Sequence, residues 1–212
     1  MSKICYVTNA FAEQRENFPN WCKSQHIEVI KVLNEQQLIA TSLKEVTLLI
    51  SDRTSFLFKK SWLNEVTFPK VNVHPSMLPF HKGAHPIFWS AILNSKWGVS
   101  IHDIAPGIDD GAIFSQLVID YDEAMTFRNL YWMYRESTHK LLEDLVTKVL
   151  SGDEIVFVPQ EKCASGSHKL KDTLPLISKL ANGWDTTIRD ARRQLDRNLT
   201  SAFYPSSTRF EI

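Results

Sequence analysis

No stretch of 18 consecutive apolar residues occurs in this 212-residue chain, so no segment reads as a membrane-spanning helix. Cysteine is scarce. Cys5, Cys22 and Cys163 are an odd number at wide spacing, which excludes a disulfide framework or a CxxC metal site and fits a reducing cytoplasm. Neither sign of charge dominates: Lys and Arg total 24, and so do Asp and Glu. Zero net charge argues against a dedicated binder of nucleic acid or of an anionic membrane surface. Glycine is sparse at seven residues, and no repeat or low-complexity tract is present. The opening Met1-Ser-Lys-Ile-Cys-Tyr-Val-Thr carries one Lys and a four-residue apolar run, too short for the core of a secretory signal. It reads as a first strand, and the expectation is a soluble cytoplasmic protein.

What is present suffices for a packed core. Hydrophobic residues make up 43% of the chain, which excludes wholesale disorder, and the length suits one large domain or two small ones. Ile4 to Val7, Ile27 to Leu33, Val46 to Ile50 and Lys70 to Val73 read as strands. Val46 to Ile50 is continuously apolar, as in a strand buried on both faces. Helical stretches fall between them, at 11–25, where Pro19 forces a late start or a break, and at Glu35 to Lys44. This alternation predicts an α/β fold with a mostly parallel, Rossmann-like sheet flanked by helices. Trp97 to Ile104 and Ala112 to Ile119 add two strands, and 126–150 forms the longest helical pattern, with an apolar stripe that reads as core. After Ser151-Gly152 come a short strand at Ile155 to Val158, a polar loop at 161–172 and a last helix near 186–198, capped by Asp185 or Thr186. Residues 153–212 are too few for a convincing independent domain. They are expected to be an extension packed on a domain of residues 1–152.

The middle of the chain concentrates residues that shape backbone and residues that titrate. Gly83, Gly98, Gly107 and Gly111 fall there, with Pro75, Pro79, Pro86 and Pro106 and with His74, His81, His85 and His102. Loops held by a rigid sheet are where chemistry usually sits. In Asn72-Val-His-Pro-Ser-Met-Leu-Pro, Asn72 and His74 are two apart at a strand's carboxyl end, so both face one way. Pro75 stiffens the exit. Ligands of open parallel sheets bind beyond the carboxyl ends of the strands. An amide donor beside a titratable ring suits oxyanion stabilisation and proton transfer; the same pair can also simply satisfy backbone groups at a strand end. Pro106-Gly-Ile-Asp109-Asp110-Gly111 likewise reads either as an ordinary Asp-Gly turn or as a carboxylate delivered to a site.

Taken together, Asn72-Val-His-Pro-Ser-Met-Leu-Pro, Lys82-Gly83-x-x-Pro86, Gly98-Val-Ser-Ile-His and Gly107-Ile-Asp109-x-Gly111 resemble the signature of the folate-dependent formyltransferases, across roughly residues 45–150. The resemblance implies transfer of a formyl group from 10-formyltetrahydrofolate to a primary amine, with no metal. It makes residues 1–152 the catalytic domain. It carries the family's catalytic Asn, His and Asp onto Asn72, His74 and Asp109. It puts the pterin between two segments, Ser55, Phe56, Leu57 and Phe58 on one side and Ile104, Ala105, Gly107 and Ile108 on the other. Phe56 and Phe58 can equally be plain core. The acceptor would meet Ser76, Lys82 and Gly83, with His81 and His85 nearby.

Departures from the family pattern select among its branches. Val7-Thr-Asn-Ala-Phe-Ala has no glycine to let backbone amides close on a phosphate, unlike the phosphoribosylglycinamide branch. The stretch after residue 152 is short for the extra barrel of the methionyl-tRNA branch. What remains resembles the compact enzymes that formylate nucleotide-linked amino sugars, often for surface polysaccharide such as lipopolysaccharide O-antigen. Expected partners are therefore small molecules, with a homodimer carried over from relatives. The alternatives are another amine acceptor (a carrier-bound aminoacyl group, glycinamide ribonucleotide or methionyl-tRNA), a metal-dependent hydrolase using the histidines and Asp109 and Asp110, and a non-catalytic binding protein.

Overall fold

A computed structural model describes residues 2–9, 17–162 and 167–195. Cys163, the first part of the helix expected over 11–25 and the last residues of the one expected near 186–198 lie outside the described residues. In chain order the elements begin β1 (Lys3–Val7), α1 (Asn17–Ser24), β2 (Glu28–Val32), α2 (Glu35–Ala40), β3 (Val46–Asp52), α3 (Lys60–Glu65) and β4 (Lys70–His74). They continue β5 (Lys82–Gly83), α4 (Pro86–Ile92), β6 (Gly98–Asp103), β7 (Ile113–Val118) and α5 (Phe127–Ser151). The last are β8 (Ser167–His168), α6 (Leu170–Ile177) and α7 (Ile188–Gln194). No helix among the described residues is long and apolar enough to cross a membrane.

The chain forms two compact units, and no single cut along the sequence separates them. The first comprises Met1–His74, Ser100–Ser115 and Ser137–Gln160; the second comprises Pro75–Val99, Gln116–Glu136 and Glu161–Ile212.

A six-stranded sheet runs in the order β2-β1-β3-β4-β6-β7, with β2, β1, β3 and β4 wholly within the first unit. β2, β1, β3 and β4 run parallel, and β6 is antiparallel to β4. The continuous apolar run of β3 is explained by its position. It is central, and six of its seven residues, all but Thr47, are buried. Edge strand β2 has only Val32 buried. One face carries the core of Cys5, Val7, Val32, Leu38, Val46, Leu49, Leu63 and Ile104, with Phe56, Phe58 and Trp62 packed against it. Each such aliphatic side chain, fully buried, contributes about 1.5–3 kcal/mol. Helix α2 starts where Asn34 accepts a hydrogen bond from the Gln37 amide, so its side chain replaces one missing carbonyl.

In the second unit, α4 buries all seven of its residues. Trp89 donates to Thr173 Oγ1 at 3.0 Å and stacks on His168 with ring centroids 4.2 Å apart. The two-residue strands β5 and β8 pair in parallel, Lys82 with Ser167 and Gly83 with His168.

Three local expectations are corrected. Ile155 to Val158 is not a strand: only Val158 bridges to Ile113, and Val156 and Val158 are 59% and 60% exposed. With no second partner the run has nothing to extend its pairing. The polar loop expected at 161–172 gives way to β8 and the start of α6, because Leu176 and Thr173 bury one side of that helix. The last helix is capped by Thr187, which accepts from the Asp190 amide, not by Asp185 or Thr186. Asp185 instead takes a bidentate contact from Arg128, whose guanidinium holds its carboxyl below the usual carboxylate range.

Candidate active site

The register of three strands lays one row of polar side chains across the sheet. Ser51 of β3 is the partner of Asn72 of β4, and Asn72 is the partner of His102 of β6. Register partners project to the same face, and so does His74, two residues beyond Asn72. The row sits at the carboxyl ends of β3 and β4, where open α/β sheets take ligands. Ser51 donates to Asn72 Oδ1 at 2.8 Å. Tyr6 donates to Asp52 Oδ2 at 2.7 Å beside it, with both side chains buried.

The loop between β6 and β7 brings in the carboxylate. Asp109 adopts φ +53°, a left-handed conformation that Asp tolerates better than most residues. Its Oδ1 lies 3.3 Å from Asn72 Nδ2, and its Oδ2 lies 3.4 Å from His74 Nδ1. His102 Nε2 is 3.1 Å from Asn72 Nδ2 and 3.5 Å from Asp109 Oδ1. Side-chain exposure is 5% for His74 and 13% for Asp109, so the pair interacts with little solvent screening. Gln160 Nε2 donates to the carbonyls of Asp109 and Gly111, 2.7 Å from each, and pins the turn. Gly111 is required: a Cβ there would run into the Asp103 carbonyl. Asp110, the neighbouring carboxylate, is exposed.

The structure thus brings Asn72, His74 and Asp109 together. The segments expected to flank a pterin behave differently within themselves. Side chains after β3 alternate: Phe56 and Phe58 turn toward the core, their centroids 5.4 Å apart, while Ser55 is exposed and accepts from Asn9, and Leu57 is 68% exposed. Ile104 is buried in the same core, whereas Ala105 is half-buried, Gly107 is exposed at φ +111°, and Ile108 is 43% exposed. Leu57 and Ile108 are the apolar side chains offered outward. Ser76, Lys82 and Gly83 belong to the second unit. There Ser76 is buried and donates to the Phe80 carbonyl at 2.7 Å, and Lys82 and Gly83 are half-buried in β5. His81 is not on the surface: it is fully buried, within 3.1 Å of His168 Nε2 and 2.6 Å of Ser95 Oγ. Ser51 and Gln160 were not anticipated from sequence, and His102 only as a possible metal ligand. Among the described residues, no group of three or more His, Cys, Asp or Glu is arranged to hold a metal ion.

Residues 36–146 match the family model described as formyl transferase, slightly more than half of the chain. The chain belongs to the formyl transferase family. Within that family it is 28% identical over 137 residues to GDP-perosamine N-formyltransferase of Brucella melitensis, covering 64% of this chain and 48% of that protein. It is 33% identical over 124 residues to methionyl-tRNA formyltransferase of Thermosipho melanesiensis, covering 57% and 38%. The chain therefore spans about half or less of the length of these relatives. Among solved formyl transferases, PseJ of Anoxybacillus kamchatkensis superposes with TM-score 0.76 at 28% identity, covering 92% of this chain and all of that one. That crystal structure contains UDP-4,6-dideoxy-4-formamido-L-AltNAc and tetrahydrofolate.

Proposed function

We propose that this protein transfers a formyl group from 10-formyltetrahydrofolate to the primary amine of a nucleotide-linked amino sugar. One juxtaposition carries the reading: Asn72, His74 and Asp109 meet at the carboxyl ends of the sheet, in a member of this family. The likeness over the full length of PseJ supports the sugar acceptor.

In this reading the amine attacks the formyl carbon, and the carbonyl electron pair moves onto oxygen. Asn72 donates an amide N–H to that developing oxyanion, in a position fixed before reaction begins. His74, as an imidazolium whose Nδ1–H is given to Asp109, donates Nε2–H to the same oxygen. Asp109 holds the imidazole by charge and takes up, directly or through water, the proton that the amine sheds. The electron pair on oxygen then re-forms the carbonyl as the C–N bond to the folate breaks, and the folate nitrogen takes the proton that Asp109 received. Each of these groups completes its part without a covalent link to the enzyme. Leu57 and Ile108 are the outward-facing apolar side chains of the two segments and would meet a flat pterin, with backbone groups of 105–108 serving its polar edge. The setting is the cytoplasm. A homodimer, carried over from the family, belongs to the same proposal.

The test is to incubate the purified protein with 10-formyltetrahydrofolate and a panel of amines: nucleotide-linked amino sugars, glycinamide ribonucleotide, methionyl-tRNA and an aminoacyl carrier. Mass spectrometry reads which gains a formyl group. Formylation of an amino sugar is the expected result. Formylation of methionyl-tRNA alone, the second reading that the Thermosipho likeness favours, overturns the acceptor assignment. No formyl transfer to any amine overturns the activity.

A further inference from the structure

Asn72 can serve an oxyanion only if its carboxamide presents nitrogen rather than oxygen to the site. The two orientations fill the same space, so packing cannot choose between them; hydrogen-bond partners must. The partners here come from the strands on either side. Ser51 lies in register on β3 and His102 in register on β6, so Asn72 is held at both ends of the amide by residues that the sheet places opposite it. Ser51 is fully buried and His102 is 3% exposed.

Counting protons gives the row a direction. His102 Nδ1 is 2.8 Å from the Asp103 carbonyl, which only accepts, so Nδ1 carries the hydrogen. In the neutral ring Nε2 is then an acceptor, and it faces Asn72 Nδ2 at 3.1 Å. Asp109 Oδ1, also an acceptor, faces the same nitrogen at 3.3 Å. Both hydrogens of the amide therefore point to this side. On the other side the Ser51 hydroxyl gives its single proton to Asn72 Oδ1 and so must receive one from Thr54 Oγ1, 2.9 Å away. The chain runs Thr54 to Ser51 to Asn72 and on to His102 and Asp109, with every donor matched to an acceptor. Turning the amide over would set its oxygen against the Asp109 carboxylate and the His102 lone pair.

We propose that Ser51 and His102 are positioning residues that lock the Asn72 carboxamide nitrogen-first toward the reacting oxygen, with His102 donating from Nδ1 and accepting at Nε2. The assignment rests on the reading of Asn72 as the oxyanion donor. In the transition state the substrate oxygen competes with His102 and Asp109 for one amide hydrogen, while Ser51 keeps the group from rotating away. The lock costs little in the ground state because all its members are already satisfied.

Two measurements test it. The first is the nitrogen NMR spectrum of the wild-type protein labelled at histidine and asparagine. The expected result is a protonated Nδ1 and an unprotonated Nε2 on His102 at neutral pH, with one sharp Asn72 side-chain amide that shifts or broadens in Ser51→Ala. A His102 carrying its proton on Nε2, or an Asn72 amide unmoved by Ser51→Ala, overturns the lock. This arm needs no substrate, so it decides the proposal even if the wild-type protein formylates no amine and the functional reading fails. The second is kinetic. Ser51→Ala and His102→Leu should lower kcat about 10–100-fold, as misplacement of a reacting group does, with KM values near wild type. Ser51→Thr, which keeps the hydroxyl, and His102→Gln, whose amide oxygen can accept in place of Nε2, should restore part of that loss. Melting temperatures of all four variants identify any that fail to fold. Folded Ser51→Ala with wild-type kcat, or equal losses in His102→Leu and His102→Gln, overturns the assignment.

Discussion

Oδ2 of Asp109 stands 3.4 Å from Nδ1 of His74, and both side chains are largely withdrawn from solvent. Asp110, adjacent in sequence, is exposed instead. The pair thus separates two carboxylates that the sequence alone presents as equals. Asp109→Asn should lower kcat/KM for formyl transfer by about 10²–10⁴, the usual worth of positioned acid–base help. Asp110→Asn should stay within about threefold of wild type, as exposed substitutions generally do. Steady-state kinetics on both variants decides, and equal losses would mean that the role is not confined to Asp109.

Gln160 should matter beyond its own position. Its Nε2 satisfies two carbonyls of the Asp109 turn at once. Gln160→Ala should destabilise the fold by about 1–3 kcal/mol, the net worth of two such bonds, and should lower kcat more than it raises KM. Urea denaturation and initial-rate kinetics give the two readings. Gln160→Glu, which has no N–H to donate, should behave like Ala and not like wild type.

The capping geometry at α7 gives a prediction independent of function. Thr187→Ala should cost about 1 kcal/mol, while Thr187→Ser should cost little, because a serine hydroxyl can still accept from the Asp190 amide. Asp185→Ala should do less, since Asp185 meets Arg128 in the open and takes no part in the cap. Denaturant midpoints compare the three variants.

Burial pushes the Cys5 and Cys22 thiols from an ordinary 9.0 up to about 12. The reactive species is the thiolate. Three pH units lower its fraction at pH 8 by roughly a thousandfold relative to an unfolded chain. Iodoacetamide should leave both cysteines unmodified in the native protein and alkylate them in urea, as peptide mass spectrometry can follow. The stabilisation from keeping these thiols neutral is complete below pH 9, and it is lost as pH rises from 9 toward 12. Chemical denaturation at pH 7, 9 and 10.5 should show that decline, and alanine at either position should flatten it.

Sequence pattern reached the scaffold better than the site. Val46 to Ile50 could be placed as a central strand because a continuous apolar run has few other uses in an α/β fold. Asn72 and His74 could be placed on one face because strands repeat every two residues. Asp109 was not accessible to periodicity at all; it came from the resemblance of its turn. Ser51 and His102 stayed hidden because register is a property of three strands together, and no spacing along one strand encodes it. Gln160 was further out of reach, 51 residues from the carbonyl it holds. Helix α4 escaped because it opens with Pro86 and is apolar on every side, which erases the amphipathic signal. The failures at Ile155 to Val158 and at 161–172 have a common cause: local propensity yielded to which partner was available.

The pairing of β5 with β8 is a clasp between positions about 85 apart in the chain. A side chain at residue 83 would press on the His168 carbonyl, so the clasp closes only around glycine. The same late segment supplies the imidazole that plates Trp89. Shortening the protein after residue 152 would leave Lys82 and Gly83 unlatched and strip one wall from the indole. The late segment is therefore part of the support that holds the Lys82-Gly83 motif in place, and fusion or trimming strategies should keep it through Leu195.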